Sequence, residues 1–248
     1  CVDTCPSNSI EIKKIELRKT SDYTGVLVYA EQRDGIVHPV VYELLGKGKI
    51  LADQLGERLY AVILGEKLNR QAEELLVRGA DKVYVYDDPR VAVFRDDPYT
   101  QLLCECVDEI HPSIFLIGAT AIGRAIGPRI AAKLHTGLTA DCTSLDIDPD
   151  TRFLQQTRPA YGGNIMATII TPNHRPQMAT VRYKVMNEAK SDPSKKGEII
   201  SRSVSKKLLD RVKILKYEAA KEQLSITDAD IIVSGGKGLG SSEGFKLI

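Results

Sequence analysis

The chain has 248 residues, 43% hydrophobic and 27% charged, which is ample for a buried core and too balanced for a disordered or fibrous protein. With 34 basic and 33 acidic residues the net charge is +1, so no electrostatic feature points to nucleic acid or an anionic membrane surface as partner. Five cysteines do not read as a secreted disulfide framework, and no apolar run approaches the roughly 20 residues of a membrane helix, so a cytoplasmic protein without membrane insertion is expected.

Residue 1 is Cys rather than Met, and Phe245-Lys246 near the other end reads as the start of a helix, so the numbering is expected to describe a piece of a longer polypeptide. Cys1 to Pro6 forms a C-x3-C-P run, which is how the cysteine series of bacterial ferredoxins ends. Two readings stand open: ligands of an iron-sulfur cluster, of which the set here would be incomplete, or two free cysteines in a frayed terminus. Ile10-Glu11-Ile12 would be the short strand that follows.

From Tyr23 onward strand and helix patterns alternate. Apolar runs at Gly25 to Ala30, Leu59 to Leu64, Lys82 to Tyr86 and Ser113 to Gly118 read as strands. Helical spacing follows at Pro39 to Leu55, where Gly46 and Gly48 weaken it, and at Leu68 to Arg78, closed by Gly79. Two further helices are read at Pro98 to Ile110 and Ile122 to Leu134. Strands apolar throughout and separated by helices predict an α/β fold, a mostly parallel sheet covered on both faces.

Arg152 to Gln156, Ile165 to Ile170 and Gln177 to Tyr183 are richer in Thr and Arg and read as added antiparallel strands. Polar, basic 187–207 reads as a linker. Val212 to Ala219 and Asp230 to Ser234 read as strands, the latter opening a second α/β unit. The division is therefore 1–20 as the end of a ferredoxin-like segment, 21–186 as a first α/β domain, 187–216 as linker and 217–248 as the start of a second domain.

Three loops could hold a ligand. Gly235-Gly236-Lys237-Gly238-Leu239-Gly240-Ser241 leaves the last strand pattern for a helix start, the geometry in which bare backbone can approach a phosphate. It matches neither the dinucleotide fingerprint nor the P-loop, and a tight strand-to-helix turn accounts for the same letters. Gly118 to Gly123, followed by Arg124 and Arg129, is the second such exit; both arginines are also compatible with solvated or interface positions. Thr157 to Asn164, with Arg158 and Tyr161, is the third, and a structural hairpin explains it equally. Cys104, Cys106 and Cys142 read as buried structural thiols, the four histidines as surface or helix-end residues, and no catalytic or zinc series appears.

Five blocks taken in order, Gly118 to Arg124, Pro128 to Ala132, Thr136 to Cys142, Thr157 to Asn164 and Val233 to Gly240, resemble the alpha (large) subunit of electron-transfer flavoproteins. The resemblance implies a first α/β domain packing on the beta subunit and a second domain holding FAD. It implies an electron-carrier subunit rather than a self-contained catalyst. Lys237 stands where the family commonly has an arginine beside the flavin, which keeps the charge and loses the planar fork. Gly235, Gly236, Gly238 and Ser241 would line the same loop, and Arg158 would lie near the beta subunit's flavin or at the interface. The C-x3-C-P run ahead of the first domain is similar to the extension of alpha subunits in anaerobic bifurcating complexes, which work with an acyl-CoA or lactate dehydrogenase. That implies Cys1 and Cys5 as two ligands of a 4Fe-4S cluster. The competing reading is a nucleotide-binding sensor or stress-type α/β module with a phosphate at Gly118 to Gly123; a stand-alone nicotinamide dehydrogenase is disfavoured by the missing fingerprint.

Overall fold

The computed structural model describes residues 7, 19–218, 229 and 231–248. Two compact units emerge, Cys1–Arg211 and Val212–Ile248.

The first unit begins with strand β1 (Val26–Tyr29), a small hairpin of β2 (Gln32–Arg33) and β3 (Ile36–Val37), and helix α1 (Val40–Leu55). There follow β4 (Leu59–Gly65), α2 (Asn69–Val77), β5 (Lys82–Asp87), α3 (Asp96–Ile110), β6 (Ile114–Gly118) and α4 (Ala121–Lys133). The remaining strands are β7 (Leu138–Cys142), β8 (Ser144–Ile147), β9 (Leu154–Ala160), β10 (Ile165–Ile169), β11 (Gln177–Val181) and β12 (Glu198–Ser201).

Seven of these strands form one sheet in the order β12-β5-β4-β1-β6-β11-β7, and every pairing in it is parallel. Successive side chains of a strand leave on opposite faces, so Val26 and Val28 enter the core on the face of α1 and α2. Leu27 and Tyr29 enter the core on the face of α3 and α4. All four β1 side chains are buried, and burying each Leu, Ile or Val side chain contributes about 1.5–3 kcal/mol. The α/β class expected from the continuous apolar runs is the observed one.

The helix over 40–55 tolerates its two glycines because both are contact points. A Cβ on Gly48 would lie 2.9 Å from Leu59 Cδ1, and one on Gly46 would lie 2.5 Å from the Asn187 carbonyl oxygen. Gly56 ends the helix at φ 66, the left-handed position that favours glycine.

Three expectations change, the last being the strands read at Val212 to Ala219 and Asp230 to Ser234, whose described residues carry none. Gln177–Val181 is not an antiparallel addition: it runs parallel between β6 and β7 and is buried along its whole length. The antiparallel strands are β10-β9-β8, a separate three-stranded sheet, in which Arg158 faces Ala167 and Thr157 faces Thr168. The stretch 187–216, expected as linker, contains β12, which pairs in parallel with β5 from Glu198 opposite Lys82 to Ser201 opposite Val85. Beyond it, Arg95 Nε donates to Asp210 Oδ2 at 2.8 Å and Arg211 to Asp97 at 2.7 and 2.8 Å, so the chain stays on the first unit through Arg211.

In the second unit, 212–218 and 231–236 carry no strand, and its regular structure among the described residues is two 3-10 turns, Lys237–Leu239 and Ser242–Leu247. Ile231, Ile232 and Val233 are exposed.

Candidate functional site

At the Gly118 to Gly123 exit the glycines are used for packing. A Cβ on Gly123 would lie 1.8 Å from the Gly118 carbonyl oxygen, and one on Gly118 would lie 2.6 Å from Val40 Cγ1. Thr120 caps α4 by accepting from the Gly123 amide at 2.9 Å, and its hydroxyl donates to Glu31 Oε2. Glu31 lies just past the end of β1 and is buried; that burial pushes its carboxyl above the ordinary range, opposed by the Thr120 hydrogen bond and the charges of His38 and Arg33. Sequence reasoning missed Glu31, and no motif surrounds it. The available signal was a carboxylate directly following a strand that is apolar throughout.

Arg124 is committed to Asp141 through a two-pronged pair, Nε to Oδ1 at 3.0 Å and the second prong at 3.1 Å. Arg129 faces Asp96 at 3.5 Å and Asp97 at 3.7 Å. Both therefore hold elements of the first unit together.

Arg158 sits on β9, half-buried, in the hairpin that β9 makes with β10. The turn runs through Tyr161–Gly163, with Gly162 at φ 71 and Gly163 at φ 94. This hairpin leaves Tyr161 83% exposed, with Ile165 and Met166 each at 55%. Single exposed apolar residues are ordinary, but an aromatic and two aliphatics grouped on one hairpin, beside an arginine, have the composition of an interface.

In the second unit the glycines divide by role. A Cβ on Gly235 would lie 2.2 Å from Leu239 Cδ1, whereas one on Gly236 or Gly238 would meet nothing within 4 Å. Gly240 adopts φ 75. The 3-10 turn Lys237–Leu239 is closed by Leu239 N donating to Gly236 O at 3.0 Å and Gly240 N donating to Lys237 O at 3.1 Å. Gly236, Lys237, Gly238 and Ser241 are exposed. A bare backbone turn that carries a cation and has room where Cβ atoms would stand leaves space for a polar or anionic group to approach.

Cys1 and Cys5 lie outside the described residues. Cys104, Cys106 and Cys142 are free and buried, and burial pushes each thiol up to about 12. Among the described residues no three His, Cys, Asp or Glu side chains gather where a metal could be held. Nor is any helix of the described residues long and apolar enough to cross a membrane.

An all-parallel sheet covered by helices on both faces, followed by a separate glycine-loop unit, places the chain in the doubly wound α/β class. The electron transfer flavoprotein domain matches residues 26–207. Over 230 residues the chain is 45% identical to an electron transfer flavoprotein subunit alpha of Megasphaera elsdenii, covering 91% of this chain and 68% of that protein. It is 48% identical to the electron transfer flavoprotein subunit alpha of Clostridium acetobutylicum, covering 92% and 69% respectively. It is 39% identical to the lactate dehydrogenase (NAD(+),ferredoxin) subunit LctC of Acetobacterium woodii, covering 96% of this chain and 57% of that protein. The chain belongs to the electron transfer flavoprotein family, whose members bind flavin, and its role is electron transfer.

Proposed function

We propose that the chain is the alpha half of an alpha-beta pair that holds FAD and passes electrons to a partner dehydrogenase of the acyl-CoA or lactate type, within an NAD-linked bifurcating complex. The observation that carries this reading is the 39% identity to LctC across 96% of the chain. The exposed turn residue Tyr161, with Ile165 on the same hairpin face as Arg158, supplies the surface on which the beta subunit would pack, with Arg158 at that interface or near the beta subunit's flavin.

FAD supplies the electron-accepting ring; the chain's own part is to place and bias it. The open backbone at Gly236 and Gly238 admits close approach, Gly235 leaves room for the Leu239 side chain, and Ser241 offers a hydroxyl on the same loop. Lys237 contributes a positive charge there, which favours an anionic reduced cofactor. With Asp210 paired to Arg95 and Arg211 to Asp97, the hinge of a swinging flavin domain would lie beyond Arg211, later than the basic composition of 187–207 suggests. Cys1 and Cys5 are proposed as two ligands of a 4Fe-4S cluster on the strength of their C-x3-C-P spacing.

Reconstitution tests the reading. With the full-length chain, its beta subunit and dehydrogenase, NADH should reduce ferredoxin only while the dehydrogenase's acceptor is present, one electron going each way. Ferredoxin reduction that ignores that acceptor, or none with it present, would overturn the bifurcating role.

A further inference from the structure

Four helices start at the carboxyl rim of the parallel sheet: α1 after β1 and its hairpin, α2 after β4, α3 after β5 and α4 after β6. A helix start presents unpaired amides and the positive end of the helix dipole, which is why open parallel sheets bind phosphate along this rim. Three of these starts are met by the chain's own side chains, while α3 carries no side-chain cap. His38 Nδ1 accepts from the Val40 amide at 3.2 Å. The two carboxylate oxygens of Asp87 accept from Lys67 and Leu68 at 2.8 and 2.9 Å. At α4 the Gly123 amide donates to Thr120, and the Thr120 hydroxyl in turn donates to Glu31.

The α4 start lies at the sheet's switch point, because β1 pairs with β4 on one side and with β6 on the other. A crevice of about 420 Å³ opens there, lined by Glu31, Arg33, His38, Thr120 and Ile122 among others. That is room for a small nucleotide. Yet its polar head is a carboxylate, 7% exposed and bonded to the helix cap.

We infer that Glu31 occupies the anion position of this crevice and closes the first unit to phosphate-bearing ligands. A phosphate at the α4 start would lie against a buried like charge, and it would find the cap hydroxyl proton already taken. Both costs fall on the phosphate, so the fold keeps the crevice of a nucleotide-binding sheet without its ligand.

Photolabelling of the intact chain in complex with its partner subunit tests this. The probe is 8-azido-AMP, with inorganic phosphate and AMP as competitors, and label is counted only on peptides spanning 31–39 and 118–124. Wild type should show no AMP-competed label there, while Glu31→Gln and Glu31→Ala should gain it by about tenfold or more, since a like-charge contact is removed. Competition by inorganic phosphate as well as AMP would show that the anion contact alone was blocked; competition by AMP alone would show that the base is held too, and both support the inference. AMP-competed label on those peptides in wild type would overturn it. So would variants that retain the wild-type unfolding midpoint and gain no label.

Discussion

Glu43 Oε1 accepts the backbone amide of Lys184 at 2.7 Å across 141 residues of chain. Its other oxygen accepts from Val185 and Met186 at 3.1 and 3.0 Å, so one buried carboxylate on α1 holds the segment leaving β11. Ala189 N then donates to Tyr42 O at 2.8 Å. Removing the acceptor leaves three amides without it, each costing about 1–3 kcal/mol if buried and unpaired. Lys184 and Val185 are exposed, so water can take over part of that role, and Glu43→Ala should destabilise the first unit by about 1–3 kcal/mol, with Glu43→Gln losing less because one carbonyl oxygen remains. Urea unfolding reads both; a Glu43→Ala loss below about 0.5 kcal/mol would show that the clamp is idle.

Gly123→Ala and Gly236→Ala should behave oppositely. The first forces a Cβ to 1.8 Å from a carbonyl oxygen; the second meets nothing within 4 Å. Overpacking against backbone costs about 1–3 kcal/mol or more, so Gly123→Ala should lower the unfolding midpoint or prevent folding. Gly236→Ala should leave the midpoint of the full-length chain unchanged and weaken FAD retention. Equal midpoints for the two variants would contradict this division of roles.

The buried thiols set an alkaline limit. Cys104, Cys106 and Cys142 rise from 9.0 to about 12, chiefly through desolvation. Above pH 9 the unfolded chain has released these protons while the folded chain keeps them, so unfolding is favoured by rising pH. Stability should be flat with respect to these groups below that point and should fall progressively toward pH 12. The same thiols should stay silent to a thiol reagent at pH 8 in the folded protein and react on unfolding. Fast native-state labelling of Cys106, which is 0% exposed, would refute their placement.

Lys237→Ala in the full-length pair should shift the flavin's midpoint potential to a more negative value, because the cation that favours the anionic reduced form is gone. Lys237→Arg should restore it. Potentiometric titration checks both, and a potential unmoved by Lys237→Ala would remove the electrostatic role.

Where a strand is apolar throughout, as at 26–29 and 114–118, the letters alone placed it, since only a buried parallel strand needs both faces apolar. The partner order was not legible. Gln177–Val181 carries Gln and Thr yet is buried along its length, because those groups pair across the fold: Gln177 Oε1 accepts from Leu154 N and Thr180 Oγ1 from Asp141 N. The edge strand Glu198–Ser201 was hidden for the opposite reason, being short and largely exposed. Glycine loops were visible and their uses were not. Gly123 packs against Gly118 while Gly236 stands open, a difference set by what lies opposite each rather than by neighbours in sequence. Glu31 carried no pattern of its own, and its meaning comes from Thr120, 89 residues away.

The visible absorption spectrum of the full-length chain purified with its beta subunit tests the central claim most directly. The account predicts flavin bands with a broad iron-sulfur shoulder, and bleaching of the flavin bands when NADH is added. A colourless complex that binds only an adenine nucleotide would contradict it.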